Sequence, residues 1–533
     1  MDLHVLSSAV QAVIGGKVYR AAGLQESYHI ARQNAGLDSC VVVAARFTRV
    51  DLASGDEKLS KEEVFQAVVH ALKTHAALSA RAVRQSERDD VKKKSAKAEK
   101  EMYVFERMEH VNLEKAVHFL NENDGSNHVE DIAGLIQREF TQPMASVVSV
   151  SEVSSDRDKD KVVDDEDTPL WRLTVTAQNL LIFAWHHCLG DGQSGLAFLR
   201  SILEGLNNND PHSTFPAEFD PKFVKIPTDL KLTPRLEDLT DLSVSLRTLI
   251  VALAGLFIPP SWTSARSIWT GNQVPPIIPP YLTRARLLSI PPAHVSRILA
   301  AARRHQTTLT AVLYFLAVDV LSDMIAQKNS TGKWKKLSID VPISLRPLAK
   351  VPPTVLAEMV SVHRSTPHLA PPPSSSDVHR EGLLNWSRAS SFSRALRASI
   401  PKSREVLGTI KYLNGKYEPF FRGKLGKKRE VSLEISNLGA FKIAASPHSQ
   451  NSSTSKREKW MMTETYFSQD GGTIGAALKM NVVGSPTGTV NVVVTWGKDA
   501  VDDAFAEAFV KQLTDAVDRL DRELQSESGE KSG

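Results

Sequence analysis

The sequence predicts an α/β protein built from two lobes of comparable size. In both halves of the chain, apolar runs of strand length alternate with stretches whose apolar residues recur at helical spacing. A proline-rich stretch that largely lacks both patterns separates the two halves. We therefore expect an N-terminal lobe at residues 1–225, a crossover at residues 226–282 and a C-terminal lobe at residues 283–533.

The composition is that of an ordinary globular enzyme. The 533 residues are 42% hydrophobic and 24% charged, and a net charge of +4 gives no reason to expect nucleic acid as a partner. Cys40 and Cys188 are the two cysteines, too few for a disulfide framework, which favours a reducing, cytoplasmic compartment. The first residues lack the basic and long apolar regions of a secretory signal.

One apolar segment raises the question of membrane contact. No run of consecutive apolar residues reaches the ~18 that a membrane-spanning helix needs. The nearest is LIVALAGLFI, residues 249–258, which lies between Arg247 and Pro259. We interpret it as a buried helix, with an interfacial segment on a membrane surface as the alternative.

The N-terminal lobe contains one helix with a complete start signal and a strand–loop–helix corner. Residues 60–78 begin with Ser-x-x-Glu, a capping box, and continue with apolar residues at helical spacing. Residues 171–176 alternate as a strand, a turn follows at Gln178-Asn179, and residues 180–187 form an apolar run typical of a buried strand. Helical spacing resumes at Ser194, so AWHHCLGDGQSG, residues 184–195, occupies the corner.

The C-terminal lobe repeats this alternation of strands and helices. Strands are predicted at residues 284–290, 337–347, 431–441, 474–484 and 489–497, and helices at residues 294–304, 308–321 and 499–524. Four segments are predicted to be solvated loops, because their polar or proline-rich composition offers no apolar face: residues 84–101, 151–167, 371–376 and 445–459.

The corner contains the pattern of a dinucleotide-binding loop. Gly190, Gly192 and Gly195 form G-x-G-x-x-G between a strand and a helix, as that fingerprint requires. A second parallel strand ending in an acidic residue should follow the helix. Residues 207–222 (NNNDPHSTFPAEFDPK) have no strand pattern, which argues against a nucleotide site.

The same corner also has potential metal ligands. Successive residues of a strand point to opposite faces, so His186 and His187 do not easily ligate one ion. His187 and Asp191 supply two ligands, and no third ligand stands at a recognised spacing. We expect no metal ion here.

A histidine at a strand end can act as a general base, because its pKa of ~6.5 suits proton transfer near neutrality. Asp191 could orient the loop or the ring, and Gly190 and Gly192 permit a tight turn. The alternative to a catalytic histidine is a structural one, buried in the core with its hydrogen bonds made, beside an aspartate that caps the following helix. The combination His-His-x-x-x-Asp-Gly at such a corner favours a catalytic site that comprises His186, His187, Asp191 and Gly192.

The stretch HHCLGDG, residues 186–192, resembles the H-H-x-x-x-D-G motif of the chloramphenicol acetyltransferase-like superfamily. This group includes peptide-synthetase condensation domains, plant BAHD acyltransferases and fungal alcohol acetyltransferases. The sequence most resembles the fungal alcohol acetyltransferases in its general character. Further segments resemble family segments in the same order: residues 67–78, 341–347 (VPISLRP), 436–441 (SNLGAF) and 495–513. The D-F-G-W-G motif of the plant enzymes is absent.

The resemblance implies a two-lobed fold of mixed-sheet subdomains with a tunnel at their interface. It implies a CoA-dependent O-acyltransferase, with acetyl-CoA or another acyl-CoA as co-substrate, no bound cofactor, and an alcohol as acceptor. His187 is implied as the general base, and Asp191 and Arg346 as structural partners. Ser436 and Asn437 are candidate oxyanion or channel residues, with a simple turn at Asn437 as the alternative.

The implied chemistry is a single transfer without a covalent acyl-enzyme. The hydroxyl proton should move to His187 as the C–O bond forms, because the pKa of an alcohol is far above that of histidine. Ser194 is not in a G-x-S-x-G nucleophile motif. The alternatives are an amine or carrier-bound acceptor, and an inactive scaffold. We expect a cytoplasmic monomer, with peripheral contact to the endoplasmic reticulum or lipid droplets as an option.

Overall fold

The computed structural model describes residues 12–14, 17–50, 58–85, 102–120, 131–142, 144, 148–149, 168–208, 219–257, 264–370, 383–442 and 460–529. The loops predicted at residues 151–167, 371–376 and 445–459, and residues 86–101 of the first predicted loop, lie outside this described part.

The strands of the described part are β1 Ala12–Ile14, β2 Lys17–Ala21, β3 Val41–Arg49, β4 Ala80–Gln85, β5 Met102–Arg107, β6 His110–Val111, β7 Val117–Phe119, β8 Val148–Ser149, β9 Trp171–Val175, β10 Leu180–Trp185, β11 Val224–Lys225, β12 Ile268–Trp269, β13 Thr283–Ile290, β14 Lys336–Leu337, β15 Ile339–Ser344, β16 Val360–Ser365, β17 Leu433–Ala440, β18 Trp460–Gln469, β19 Leu478–Gly484 and β20 Val490–Gly497.

The helices are α1 Leu24–Asn34, α2 Lys61–Thr74, α3 Leu113–Ala116, α4 Ile132–Thr141, α5 Gly192–Asn208, α6 Leu236–Leu239, α7 Leu246–Phe257, α8 Pro292–Arg304, α9 Leu309–Lys328, α10 Arg346–Ala349, α11 Trp386–Gly408, α12 Tyr417–Arg422 and α13 Asp503–Gly529.

Two five-stranded sheets form most of the N-terminal lobe, in the orders β1-β2-β5-β4-β8 and β18-β3-β10-β9-β7. β9 and β10 form a hairpin, and Asn179 in its turn has a φ of 58°, a left-handed conformation that asparagine tolerates. Helices α2 and α5 pack against each other, and α5 also packs on β3 and β18. This packing places the end of β10 and the start of α5 at the same point of the core.

The C-terminal lobe contains a six-stranded mixed sheet in the order β13-β20-β19-β17-β15-β16. β17 runs parallel to β15 and β19, and the other neighbours are antiparallel. Every residue of β19 and β20 is buried, which explains the nearly continuous apolar run of β20. Helices α8, α9 and α13 pack against one another and contribute to one core with these strands.

One strand crosses the predicted boundary between the lobes. β18 lies within residues 283–533, but it pairs antiparallel with β3 of the N-terminal sheet, from Trp460↔Arg49 to Gln469↔Val41. The pairing satisfies backbone groups that would otherwise stand open at the edge of β3. A strand that pairs with the sheet of the other lobe has the same local sequence pattern as one that pairs within its own lobe. The sequence alone therefore does not reveal that β18 pairs with β3.

Two predicted helices begin where their capping signals indicate. The Ser60 hydroxyl accepts a hydrogen bond from the Glu63 amide at the start of α2. The Thr308 hydroxyl accepts from the Ala311 amide at the start of α9, which extends beyond the predicted end at residue 321. These contacts confirm the capping box and the N-cap, which depend on residues close in sequence.

The apolar segment predicted as a buried helix is α7, and the interpretation as buried does not hold for its described side chains. Leu246, Ile250 and Val251 are 72%, 56% and 65% exposed. Among the described helices, α9 has the length and composition of a spanning segment, but most of it is buried in the C-terminal core. A helix of this kind is typical of a protein interior.

Candidate active site

The strand–loop–helix corner is present, but its strand is shorter than predicted. β10 ends at Trp185, residues His187–Leu189 form a turn of 3-10 helix, and α5 begins at Gly192. His186 and His187 therefore separate at the start of this turn rather than by alternation along a strand. The two imidazoles occupy different environments.

His186 is a buried structural residue of this turn. Its side chain is almost inaccessible, its Nδ1 accepts a hydrogen bond from the Cys188 amide at 3.1 Å, and its own amide donates to Leu170 O. Burial lowers the pKa of His186 to about 3, so the ring is neutral at physiological pH. His187 lines the cavity between the lobes, whereas His186 is not part of its lining.

His187 faces a buried carboxylate. Its Nδ1 lies 2.9 Å from Glu358 Oε2, and the His187 side chain is 22% exposed whereas that of Glu358 is fully buried. Burial raises the pKa of Glu358 to about 7. Burial lowers the pKa of His187, but the facing carboxylate more than offsets this effect, so the pKa lies above its usual range.

A second imidazole lies flat against that of His187. His29, from α1, has its ring centroid 3.9 Å from that of His187, with 4° between the ring planes. Burial and the neighbouring His187 hold the pKa of His29 well below its usual range, so this ring is neutral. The stack fixes the plane in which the His187 imidazole lies.

His29, His187 and Glu358 have ligand atoms within 4.8 Å of one another, so a metal ion must be considered. The lone pairs of an imidazole lie in its ring plane, so two stacked, parallel rings keep their lone pairs in two separate planes. The two rings therefore do not converge on one ion, as a tetrahedral site requires. The geometry of this cluster suits a stacked base better than a metal site.

Two of these residues, His29 and His187, border a cavity of about 280 Å³ between the lobes, and Glu358 lies buried behind His187. His29 and His187 are part of its lining, and most of the remaining walls are polar. The N-terminal lobe contributes Tyr28, Arg32, Asp38 and Ser39, and the C-terminal half of the chain contributes Asp340, Arg364, Glu434, Asp470 and Lys479. The volume is at the lower end of the range for small-molecule sites.

Charged groups of the cavity wall are paired with one another. Arg32 Nε lies 2.6 Å from Asp38 Oδ2, and Lys479 Nζ lies 3.8 Å from Asp470 Oδ1. Burial raises the pKa of Asp38 to about 7 despite the adjacent Arg32. The wall thus offers polar groups of both signs and no large excess of either.

Asp191 does not contact either histidine through its side chain. Its carboxylate accepts from Arg346 at both oxygens, with Nη2 2.8 Å from Oδ1 and Nε 3.2 Å from Oδ2. Oδ1 also accepts from the Ser194 amide at 3.1 Å. The structure therefore joins Asp191 to Arg346 and separates both from His187.

Gly190 and Gly192 lie where neighbouring side chains leave no room for a Cβ atom. A Cβ on Gly192 would lie 2.5 Å from Leu438 Cδ2, and a Cβ on Gly190 would lie 2.2 Å from Ser194 Oγ. The φ of Gly190 is 163°, an extended value that any residue adopts. The expected tight turn is thus not the reason for these glycines, because close packing explains both positions. The G-x-G-x-x-G pattern also needs no nucleotide to account for it.

Ser436 and Asn437 lie on β17 and do not line the described cavity. Asn437 Oδ1 accepts from the Gly439 amide at 2.8 Å, and its Nδ2 donates to Thr310 Oγ1 at 3.0 Å. These contacts correspond to the turn interpretation of Asn437. Ser436 is buried.

Sequence reasoning did not identify Glu358 or His29. Glu358 is a single acidic residue within the apolar run VLAEMV, and an isolated charge in such a run is a signal of a buried pair. His29 lies in the amphipathic helix α1 with no motif around it. Both residues meet His187 only through long-range packing.

The sequence matches the profile of the alcohol acetyltransferase family over residues 21–517. It is similar to the probable alcohol acetyltransferase crmB of Aspergillus fumigatus, with 25% identity over 350 residues that cover 63% of this chain and 70% of that protein.

Solved structures with a similar fold include TRI3, a trichothecene 15-O-acetyltransferase from Fusarium sporotrichioides. It superposes with a TM-score of 0.61 at 12% identity, over 95% of this chain and 96% of that one. The condensation domain of the Monacolin K polyketide synthase MokA superposes with a TM-score of 0.55 at 10% identity, over 95% and 97%. These likenesses confirm the predicted two-lobed fold.

Proposed function

The chain belongs to the alcohol acetyltransferase family and is an acyltransferase, and from this premise we propose that it moves an acyl group from a CoA thioester to an alcohol, with His187 as general base. The observation that carries this proposal is the position of His187. Its ring borders the cavity between the lobes while its Nδ1 is engaged by Glu358, which leaves Nε2 as the nitrogen that can accept a proton.

The proposed reaction is one displacement at the thioester carbon. The acceptor oxygen attacks this carbon as its hydroxyl proton moves to His187 Nε2, and the tetrahedral intermediate then collapses with cleavage of the C–S bond. The proton passes from His187 to the departing thiolate. The products are an ester and free CoA, and His187 returns to its neutral form.

Base catalysis of this kind contributes about 10²- to 10⁴-fold to a rate. The remaining acceleration comes from holding both substrates beside one imidazole. The parallel ring of His29 and the hydrogen bond to Glu358 restrict the His187 ring before a substrate arrives. A base with a fixed plane and tautomer loses little freedom in the transition state.

The donor in this proposal is acetyl-CoA. A cavity of about 280 Å³ accommodates an acetyl group and a compact acceptor more readily than a long acyl chain. Amine and carrier-bound acceptors are the alternatives to a free alcohol. The neutral state of His29 and the mixed charge of the wall favour an uncharged acceptor over an ammonium ion.

The test is acetyl transfer from acetyl-CoA to a panel of primary, secondary and steroidal alcohols. The release of free CoA thiol measures the rate, and mass spectrometry identifies the ester. His187→Ala should abolish ester formation while its circular dichroism spectrum stays that of the wild type. His305→Ala, which removes an exposed histidine from the end of α8, is the matched control. Full turnover by His187→Ala would contradict the base assignment.

We also propose that α7 brings the protein to a lipid surface from the cytoplasmic side. Its exposed Leu246, Ile250 and Val251 are apolar, and Arg247 beside them suits an anionic headgroup. Flotation with phosphatidylcholine–phosphatidylserine vesicles tests this contact, with Leu246→Ser/Ile250→Ser as the variant. Equal flotation of variant and wild type would exclude α7 as the contact.

A further inference from the structure

We infer that Glu358 is a positioning residue for His187, and that Asp191, Ser194 and Arg346 act on the reaction through the backbone that carries Glu358. The inference depends on the proposed role of His187 as the base. It goes beyond that role because it assigns a function to a residue outside the His-His-x-x-x-Asp-Gly stretch. It also explains how Asp191 can influence His187 without touching its side chain.

The Glu358 carboxylate contacts the base but is only partly satisfied. Glu358 is fully buried, and one oxygen lies 2.9 Å from His187 Nδ1. Its other oxygen, Oε1, has no hydrogen-bond partner among the residues that the structure describes. A buried carboxylate with an unsatisfied oxygen costs the fold free energy, so a role in positioning His187 accounts for its presence better than a role in stability.

Glu358 influences which tautomer His187 adopts. When Glu358 is ionised its carboxylate can only accept hydrogen bonds, so in that form the contact requires that His187 Nδ1 carries the proton. The lone pair then resides on Nε2, the nitrogen that the proposed reaction uses. The His187 ring also has a hydrogen bond to its own backbone, and Glu358 adds a buried acceptor that favours a proton on Nδ1. The other tautomer cannot act as base at Nε2.

Hydrogen bonds hold the backbone just before Glu358. The carbonyl oxygen of Ala357 accepts hydrogen bonds from the Asp191 amide at 3.1 Å, from Arg346 Nη2 at 3.0 Å and from the Ser194 hydroxyl at 3.0 Å. The Ala357 amide donates to Ser194 Oγ at 3.0 Å. The amide and the carbonyl of Ala357 are therefore both held in place. Asp191 and Ser194 follow His187 in the corner, and Arg346 pairs with Asp191.

The backbone after Glu358 is held as well. The Met359 amide donates to Asp191 Oδ2 at 3.3 Å, and the Met359 carbonyl accepts from the Leu345 amide at 2.8 Å. Glu358 thus sits between two residues whose backbone atoms contact Asp191. Since Asp191 lies four residues after His187, a single short loop holds the base and the segment that orients it.

The alternative is that Glu358 only stabilises the fold. The test compares Glu358→Gln with Glu106→Gln, which alters another buried, ion-paired carboxylate, 2.9 Å from Arg81 and outside the cavity lining. Turnover is measured with acetyl-CoA and the best acceptor of the alcohol panel, across pH. Thermal unfolding of both variants reports the structural effect.

We expect Glu358→Gln to lower kcat by about 10- to 100-fold with little change in either KM, and Glu106→Gln to leave kcat unchanged. The acid limb of the pH profile should move to lower pH, because the carboxylate that raises the pKa of His187 is gone. Glu358→Asp keeps the charge and should recover part of the loss. It also serves as the test variant if Glu358→Gln does not fold.

Asp191, Ser194 and Arg346 hold the backbone of Ala357 and Met359 on either side of Glu358, and we call these contacts the backbone bracket. Its role is tested with Ser194→Ala. Ser201→Ala is its control, because it removes another buried hydroxyl from α5, one that bonds His75 at 2.8 Å. We expect a several-fold loss of kcat in Ser194→Ala and none in Ser201→Ala. In a Glu358→Gln background, Ser194→Ala should have no further effect, since both changes act through one contact.

The outcomes separate this inference from the proposed function. Wild-type kcat and an unchanged acid limb in Glu358→Gln would overturn the positioning role, while an inactive His187→Ala would still support the base. Activity in both variants would instead overturn the proposed base. A loss in Ser194→Ala that persists fully in the Glu358→Gln background would show that the bracket does not act through Glu358.

Discussion

The guanidinium of Arg346 contacts both oxygens of the Asp191 carboxylate, at 2.8 Å and 3.2 Å, across 155 residues of sequence. Both side chains are 4% exposed. Asp191 lies in the predicted N-terminal lobe and Arg346 in the predicted C-terminal lobe, so this buried ion pair joins the two lobes.

Removing Arg346 should destabilise the fold strongly. Arg346→Ala leaves the buried Asp191 carboxylate without its cation, and loss of one partner of such a pair lowers the free energy of unfolding by about 3–5 kcal/mol. Arg346→Lys should be intermediate, because an ammonium group cannot make the two-pronged contact. Urea unfolding followed by circular dichroism measures both, and wild-type stability in Arg346→Ala would contradict the lobe-joining role.

The pH dependence of kcat/KM should follow His187 and not His186. The base must be neutral to accept a proton, so kcat/KM should rise with pH through the pKa of His187. Because Glu358 raises that pKa, the acid limb should lie above the usual histidine range near 6.5. His186, with a pKa of about 3, stays neutral throughout.

His186→Ala tests this assignment. The variant removes a cap of the turn at Cys188 and should reduce stability more than it shifts the acid limb. A displaced acid limb in His186→Ala, together with wild-type turnover in His187→Ala, would mean that the two histidines have been assigned to the wrong roles.

The stack between His29 and His187 should contribute to the rate. Stacked aromatic pairs contribute about 0.5–1.5 kcal/mol, which corresponds to a loss of about 2- to 10-fold in kcat for His29→Ala. His29→Phe keeps a flat ring and should retain most of the activity. The acid limb should stay in place in both, because His29 is already neutral. Steady-state kinetics decide the matter, and a fully active His29→Ala would mean that the stack is incidental.

Gly192→Ala should be destabilising because its new methyl group has no room. The Cβ would lie 2.5 Å from Leu438 Cδ2 and 3.1 Å from the ring of Phe467. Overpacking of this kind lowers the free energy of unfolding by about 1–3 kcal/mol. Leu438→Ala should relieve much of the effect in the double variant. Thermal unfolding measures this, and a double variant no more stable than Gly192→Ala alone would point to a different cause.

Part of the fold could be predicted from the sequence because its signals are local. Three kinds of signal depend on neighbours along the chain: the capping residues Ser60 and Thr308, the turn at Asn179 and the apolar run of β20. The motif that indicated the family is similarly short. The exposed face of α7 was not predicted, since an apolar helix has the same sequence pattern whether it is buried or left at the surface.

By itself the sequence determined the kinds of elements, the two-lobed α/β class, the family and the short stretch in which to look for a base. Only the tertiary structure decided what surrounds that base. Glu358 lies 171 residues from His187 in sequence, and His29 comes from a helix near the start of the chain. β18 joins the opposite lobe in the same way. Local patterns reflect interactions with neighbours in the chain, whereas these contacts arise when separate elements pack, and packing is set by the shape of the whole core.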